Sequence, residues 1–159
     1  MNQIIIREAE LRDLDTLHQF KQALVDAERP FDGTLKAGPL YYYDIAELIK
    51  VDNVGIFVAE TGAEIIGCGY ARIDDSKHYL KHKQHVHLGF MYVVPHHRGK
   101  GINKLIIEKL KQWAHQHDIA EIRLEVYAAN TAALKAYEKV GFAGHMLTMR
   151  MSLNDEGKD

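Results

Sequence analysis

The apolar positions in the first part of the chain predict one strand followed by two helices. Residues 4–6 are three consecutive isoleucines, which favour a strand. Apolar residues then recur at helical spacing over residues 14–24, so we expect an amphipathic helix there. Glycines and prolines between residues 30 and 39 predict a long loop, and residues 41–51 have the pattern of a second helix.

The middle of the chain has the pattern of three strands. Residues 54–60 and 65–73 are β-branched runs separated by a short turn that contains Gly62, which predicts an antiparallel hairpin. A polar loop without periodicity follows. Residues 86–94 are apolar and aromatic, and we expect a central strand that ends at Pro95, because proline cannot donate to a strand ladder.

The last third of the chain alternates between helices and strands. Apolar spacing predicts a helix over 102–117 and another over 131–140, with Asn130 as the N-cap of the second. Strands are expected at residues 122–127 and 145–153. The whole pattern therefore predicts a mixed α/β domain with four helices and six strands, or seven if the last segment folds as two.

Length and composition are those of one globular domain. The chain has 159 residues, of which 47% are hydrophobic and 26% charged, and we expect a single domain over 1–153 with a polar tail at 154–159. A net charge of -2 provides no general attraction for nucleic acid. Only three consecutive apolar residues precede the first charges, so we expect no membrane anchor and a cytoplasmic location.

A glycine turn between the central strand and the following helix is the strongest chemical signal. Gly99 and Gly101 stand where the first amides of the helix lack partners and point the same way, which suits a phosphate group. Arg98, Lys100 and Lys104 add positive charge. Such glycines can also serve only to make a tight turn. The Walker and dinucleotide glycine patterns are both absent, so neither kind of site is predicted.

Two motifs resemble those of one enzyme family. Residues 93–102 read VVPHHRGKGI, similar to the acyl-CoA-binding motif of the GNAT superfamily of N-acetyltransferases. Residues 130–142 read NTAALKAYEKVGF and resemble the second conserved block of that family. The resemblance implies acetyl-CoA as cosubstrate and a mostly antiparallel mixed sheet of six to seven strands, splayed between strands 4 and 5. It also implies an amine as acceptor and allows a homodimer. Glu28, Asp32 and the tyrosines at 41–43 hint that this amine is a small molecule.

The resemblance also assigns roles to individual residues. Backbone groups at the end of the fourth strand would bind the pantetheine arm and polarise the acetyl carbonyl. Tyr137 corresponds to the family's proton donor, although it also fits a helix face that packs on the sheet. Asn103 departs from the usual glycine or alanine beside the phosphates. The full set of expected coenzyme contacts is Met91, Tyr92, Val93, Arg98, Gly99, Lys100, Gly101, Ile102, Asn103, Lys104, Asn130 and Tyr137.

The general base is the least determined part of the predicted site. An alkyl amine has a pKa of about 10.4, so a proton must leave before its nitrogen can attack a thioester. The fourth-strand positions that are often acidic in relatives are His87, Gly89 and Phe90 here. His87 and Glu28 are therefore the leading candidates for the base, with His85 and Asp32 as competitors.

Several other interpretations of the sequence stay open. Without a fourth-strand carboxylate, the chain could bind acyl-CoA without catalysis, and a protein or peptide amine could replace the small acceptor. Three consecutive tyrosines at 41–43 suit a cationic amine or a helix end equally.

We expect no metal, and favour a solvated loop over a metal site for four neighbouring histidines: His78, His82, His85 and His87. Cys68 is expected to pack in a strand and not to carry the acetyl group.

Overall fold

The structure, a computed structural model, describes residues 2–40 and 44–154. Two compact units make up the chain, Met1–Glu125 and Val126–Asp159. The first contains β1 (Ile4–Glu8), α1 (Leu14–Glu28), α2 (Ile45–Lys50), β2 (Val54–Thr61), β3 (Glu64–Asp75), β4 (Gln84–Val93), α3 (Ile102–Gln116) and β5 (Ile122–Leu124), and the second contains α4 (Thr131–Lys139). No helix in the described ranges is both long and apolar enough to cross a membrane.

The five strands form one sheet in the order of the sequence. Neighbouring strands from β1 to β4 are antiparallel, and β5 lies parallel to β4. Gly62 takes a φ of 61° in the two-residue turn between β2 and β3, so the predicted hairpin is confirmed. The sequence pattern also predicted each of the four helices, with boundaries that differ by a few residues.

The predicted count of six to seven strands is wrong for the part of the chain that the structure describes, which contains five. The missing strand is the one expected at 145–153, because residues 143–154 form no strand. The apolar side chains of this segment are exposed, with Met146 at 86% and Leu153 at 87%. An apolar pattern makes a strand only when a neighbouring backbone completes the hydrogen-bond ladder.

Helices cover both faces of the sheet in the first unit. Leu17 and Phe20 of α1 and Ile45 of α2 pack on one face, against a cluster that includes Val58 and Cys68. The opposite face carries α3, and its fit is close because glycines line the sheet there. A Cβ on Gly55 would lie 2.6 Å from the Trp113 ring, so only glycine allows this approach.

Candidate functional site

The chain turns sharply where β4 ends. Val94 still donates to Ile66 of β3 at 2.9 Å, and Pro95–His97 then forms a short 3₁₀ turn. The Arg98 side chain folds back to this point, because its Nε donates to the carbonyl oxygen of Val93 at 2.9 Å. Its guanidinium carbon also lies 5.6 Å from the centre of the Tyr92 ring. The turn is thereby held to the end of the strand.

The glycine turn after Arg98 has the backbone geometry that glycine alone adopts without strain. Gly99 has a φ of 75° and Gly101 a φ of 81°. Among the residues that the structure describes, no neighbouring atom lies within 4 Å of a Cβ built on either glycine, so the space beside the turn is open there. Since packing does not demand glycine here, the positive φ angles account for both residues.

The first turn of α3 presents amide groups without a side-chain cap. Gly101 is the N-cap and offers none, and Leu105 donates back to the carbonyl of Gly101 at 3.2 Å. The amides before Leu105 are those that a helix leaves for an external acceptor. Lys100 and Lys104 are exposed beside them, Asn103 is half-buried, and Ile102 is buried beneath the helix. The arrangement suits a diphosphate.

The end of β4 carries a bulge. Tyr92 pairs with Cys68 and Gly89 pairs with Tyr70, so three steps along β4 match two along β3. Phe90 takes a φ of 52° at this point, which is rare for a non-glycine residue. The bulge interrupts the pairing between Gly89 and Tyr92, and the pairing with β3 resumes at Tyr92 and Val93.

The strand β5 accompanies only the first part of β4. Its pairing covers Val86, His87 and Leu88, while β4 continues to Val93. In the described part of the sheet, the backbone of Met91, Tyr92 and Val93 therefore extends past the strand that flanks β4.

His87 lies on the sheet face that α1 and α2 cover, directly across from Arg72 of β3. It is half-buried, and burial lowers its pKa first, with the Arg72 charge lowering it further. A lowered pKa leaves the imidazole neutral at pH 7. A neutral imidazole can accept a proton from an amine.

Arg72 links His87 to two other polar groups. Its guanidinium donates to both carboxylate oxygens of Asp74, at 2.7 and 2.9 Å, and lowers the pKa of that carboxyl group. Its third nitrogen donates to the hydroxyl of Tyr70 at 3.2 Å. Burial raises the pKa of the Tyr70 phenol, so this hydroxyl keeps its proton at neutral pH.

The histidines of the 74–87 region do not gather around one point. His85 interacts through Nδ1 with Ser76 at 2.9 Å, and its Nε2 lies 3.9 Å from Asp74. His82 contacts Arg123 at 3.3 Å. Neither of these two, nor His78 or His87, belongs to the one group of three potential metal ligands found among the described residues.

The competing base candidates lie at and after the end of α1. Glu28 is its last residue and is half-buried. Asp32 follows in the loop, where its Oδ1 accepts from the amide of Thr34 at 2.9 Å. The tyrosines at 41–43, predicted to border the acceptor, lie outside the described residues.

Cys68 is fully buried within the apolar cluster on the α1 side of the sheet. Burial raises the pKa of its thiol far above neutral pH, and the thiol donates to the carbonyl of Phe90 at 3.3 Å. A thiol in this state is a poor nucleophile, because the thiolate is the reactive form.

The second unit carries the remaining predicted residues. Asn130 caps α4, with its side-chain oxygen accepting from the amide of Ala133 at 3.2 Å, as the sequence predicted. Tyr137 is half-buried and meets Phe142 edge to face at 5.8 Å. The left-handed Gly141, with a φ of 108°, lies between them after the end of α4.

Tyr70 and Lys21 are two of the buried residues with polar groups in the first unit that sequence reasoning missed. Tyr70 lies two residues before Arg72 on β3, so both side chains share one face of the sheet and their contact follows from the period of the strand. Lys21 is 3% exposed on the inner side of α1, although lysine is rarely buried. A lysine among Leu17, Phe20 and Val25 at helical spacing was the available signal.

Comparison with known proteins places these features in a family. Residues 18–142 match the acetyltransferase (GNAT) family. An N-alpha-acetyltransferase of Sulfurisphaera tokodaii is 26% identical over 142 residues, covering 86% of this chain and 78% of the relative. A streptothricin acetyltransferase of Streptomyces lavendulae is 32% identical over 87 residues, which cover 55% of this chain and 43% of that protein.

Solved structures share the same fold. A predicted acetyltransferase from Clostridium acetobutylicum, determined with acetyl-CoA, aligns with a TM-score of 0.72 at 19% sequence identity. The alignment covers 95% of this chain and 97% of that structure.

Proposed function

This chain belongs to the GNAT family of acetyl-CoA-dependent acetyltransferases, and on that premise we propose that it acetylates a primary amine of a small molecule or amino acid. One observation carries the proposal, namely that an open glycine turn with uncapped amides follows directly after the bulged end of β4. Gly99 and Gly101 leave space for a diphosphate. The backbone at 91–93, just before this turn, extends past the residues of β4 that pair with β5. The glycine turn suits the pyrophosphate of CoA, and the backbone at 91–93 suits the pantetheine arm of the same molecule.

Most of the residues that we assign to the coenzyme form one continuous stretch of the first unit. Amides of Ile102, Asn103 and Lys104 bind the pyrophosphate, with charge from Lys100, Lys104 and Arg98. Backbone groups of Met91, Tyr92 and Val93 hold the pantetheine arm and polarise the acetyl carbonyl, as oxyanion donors do. Asn130 serves as the cap of α4 and as a further contact. We assign catalysis to one domain over 1–153. Residues 155–159 of the predicted tail at 154–159 lie outside the described part of the chain.

Transfer proceeds by direct attack. His87 accepts a proton from the acceptor ammonium group, and the free nitrogen attacks the thioester carbon. The tetrahedral intermediate collapses with cleavage of the C–S bond, and Tyr137 donates its proton to the departing thiolate. The extra proton on the attacking nitrogen is lost as the amide forms and passes through solvent to restore the Tyr137 phenol. Glu28 is the alternative base. Burial and the neighbouring Arg72 support His87, because both keep its imidazole neutral at pH 7.

Turnover with a panel of amines tests the proposal. The thiol of CoA should appear in the presence of acetyl-CoA and a suitable amine, and Tyr137→Phe should slow this release by about 10²-fold or more. The same variant should bind acetyl-CoA as tightly as the wild type. Coenzyme binding without turnover on any amine would favour the noncatalytic alternative.

A protein amine is the second candidate acceptor. It is favoured by the similarity to an N-alpha-acetyltransferase, which extends over 86% of this chain. Peptides with a free N-terminus belong in the same panel. Acetylation of peptides with no turnover of small amines would replace the first candidate by the second.

A further inference from the structure

The turn before β3 and the turn after β4 are neighbours at one end of the strands, because β3 begins beside the point where β4 ends. Gly67 pairs with Val93, and Ile66 accepts from the amide of Val94 at 2.9 Å. The residue that opens β3, Glu64, is thereby brought beside the 3₁₀ turn Pro95–His97. The strand register, and not sequence proximity, makes these two segments neighbours.

Three side chains that can bind a metal lie close together at this end of the strands. Glu64, His96 and His97 each offer one ligand atom, and these atoms all lie within 4.8 Å of one another. The carboxylate Oε1 of Glu64 lies 3.6 Å from Nε2 of His96, and the two imidazole rings are centred 4.5 Å apart.

The spacing is close to that of a tetrahedral zinc site. Zinc bonds of about 2.0 to 2.1 Å at the tetrahedral angle separate neighbouring ligand atoms by about 3.3 Å. The Glu64 to His96 distance already approaches this value. The other ligand atoms, which lie within 4.8 Å of one another, must close to about 3.3 Å. Glu64 and His96 are exposed, at 57% and 68%, so their side chains can rotate without disturbing the core.

The donor set indicates which ion would bind. Imidazole nitrogens suit zinc and its neighbours in the first transition series, whereas magnesium and calcium prefer oxygen ligands. Two histidines and one glutamate form a three-ligand zinc set that leaves a position for water.

We propose that Glu64, His96 and His97 bind one Zn²⁺ ion that links the β2–β3 turn to the turn after β4. The site is separate from the acetyl transfer chemistry and from the histidines at 78–87. It lies at the start of the segment that leads, through Arg98, into the glycine turn.

Zinc titration of the full-length, untagged chain at pH 7 tests this site. Calorimetry should show saturable binding of one ion per chain, and a melting temperature that rises with zinc. Co²⁺ in place of zinc should give the visible absorption of a tetrahedral complex. His96→Asn, His97→Asn and Glu64→Gln should each weaken zinc binding by about tenfold or more.

His78→Asn is the matched control, because His78 is an exposed histidine of the 76–83 loop. This variant should bind zinc like the wild type. All four variants should melt like the wild type in chelator, since Glu64, His78 and His96 are exposed and His97 is only half-buried. Absence of saturable binding, or loss of binding in His78→Asn with retention in His96→Asn, would overturn the proposal.

Discussion

Tyr70 lies over Gly89 so closely that a Cβ at residue 89 would be 2.1 Å from the Cε1 atom of the ring. The two residues are directly paired across β3 and β4, and Tyr70 is 2% exposed. A side chain at position 89 is therefore incompatible with this ring. The absence of a carboxylate at this fourth-strand position follows from packing, and a phenol held by Arg72 occupies the space above the strand.

Gly89→Ala should destabilise the protein by about 1 to 3 kcal/mol, because the added methyl group forces the buried ring to move. Chemical denaturation measures the free energy of unfolding. Gly33→Ala is the control, since no residue of the described ranges places an atom within 4 Å of a Cβ there and the expected change is within about 0.5 kcal/mol. The penalty should shrink in a Tyr70→Ala background, and an equal penalty in both backgrounds would contradict the packing explanation.

Gly101→Ala should weaken acetyl-CoA binding by about tenfold or more, because alanine disfavours the φ of 81° that presents the α3 amides. Calorimetric titration with acetyl-CoA measures the change in Kd. Gly38→Ala carries a similar backbone penalty at a φ of 83°, with no described residue within 4 Å of the added Cβ, and should leave the Kd unchanged. Equal weakening in both variants would mean that general destabilisation, and not the coenzyme turn, is responsible.

The pH dependence of kcat/KM should have an acidic limb with a midpoint below the usual histidine value of about 6.5. The reason is that burial and Arg72 lower the pKa of His87, and the base works only when neutral. Activity should rise as pH increases through that pKa. His87→Asn should lower activity and remove the acidic limb. If the limb persists in His87→Asn and is lost in His85→Asn or Glu28→Gln, the base is that other residue.

Asp13→Asn should cost roughly 2 to 3 kcal/mol at pH 7. Asp13 is 4% exposed and accepts from Arg7 at 2.8 and 3.0 Å and from the amide of Glu10 at 2.8 Å. The bonds from Arg7 lower its folded-state pKa below the unfolded value of about 3.9. Its stabilisation is therefore complete above that pH and is lost as pH falls through the folded-state pKa.

Denaturation curves of the wild type and Asp13→Asn from pH 7 to pH 2.5 measure this dependence. The difference between them should be constant near neutral pH and shrink at the acid end. Asp26→Asn is the control, because its ion pair with Arg29 at 3.6 Å is exposed and worth well under 1 kcal/mol. A difference that grows on acidification would contradict the assigned sign.

Cys68→Ala should retain turnover, since the buried thiol is protonated and takes no part in direct transfer. Intact mass measurement of the wild type mixed with acetyl-CoA, without acceptor, should show no acetylated enzyme. An acetyl group on Cys68, or loss of turnover in a Cys68→Ala protein that still binds acetyl-CoA, would establish a covalent intermediate instead.

Local patterns in the sequence were sufficient for most of the fold. Alternation and helical spacing reflect which side of an element is buried, so the hairpin and the four helices could be predicted from neighbouring residues alone. The glycine turn was visible for a similar reason, because a positive φ at Gly99 and Gly101 is a local demand on the backbone. Asn130 was recognisable as a cap from its position before α4.

Only the tertiary structure decided the features that depend on strand register. The contact of Tyr70 with Gly89, the pairing of His87 with Arg72 and the meeting of Glu64 with His96 all join residues that are distant in sequence. The segment 145–153 failed as a predicted strand for the same reason, since a strand requires a partner that its own sequence does not specify. Side-chain identity determines each element locally, whereas the pairing of backbones determines which side chains share a site.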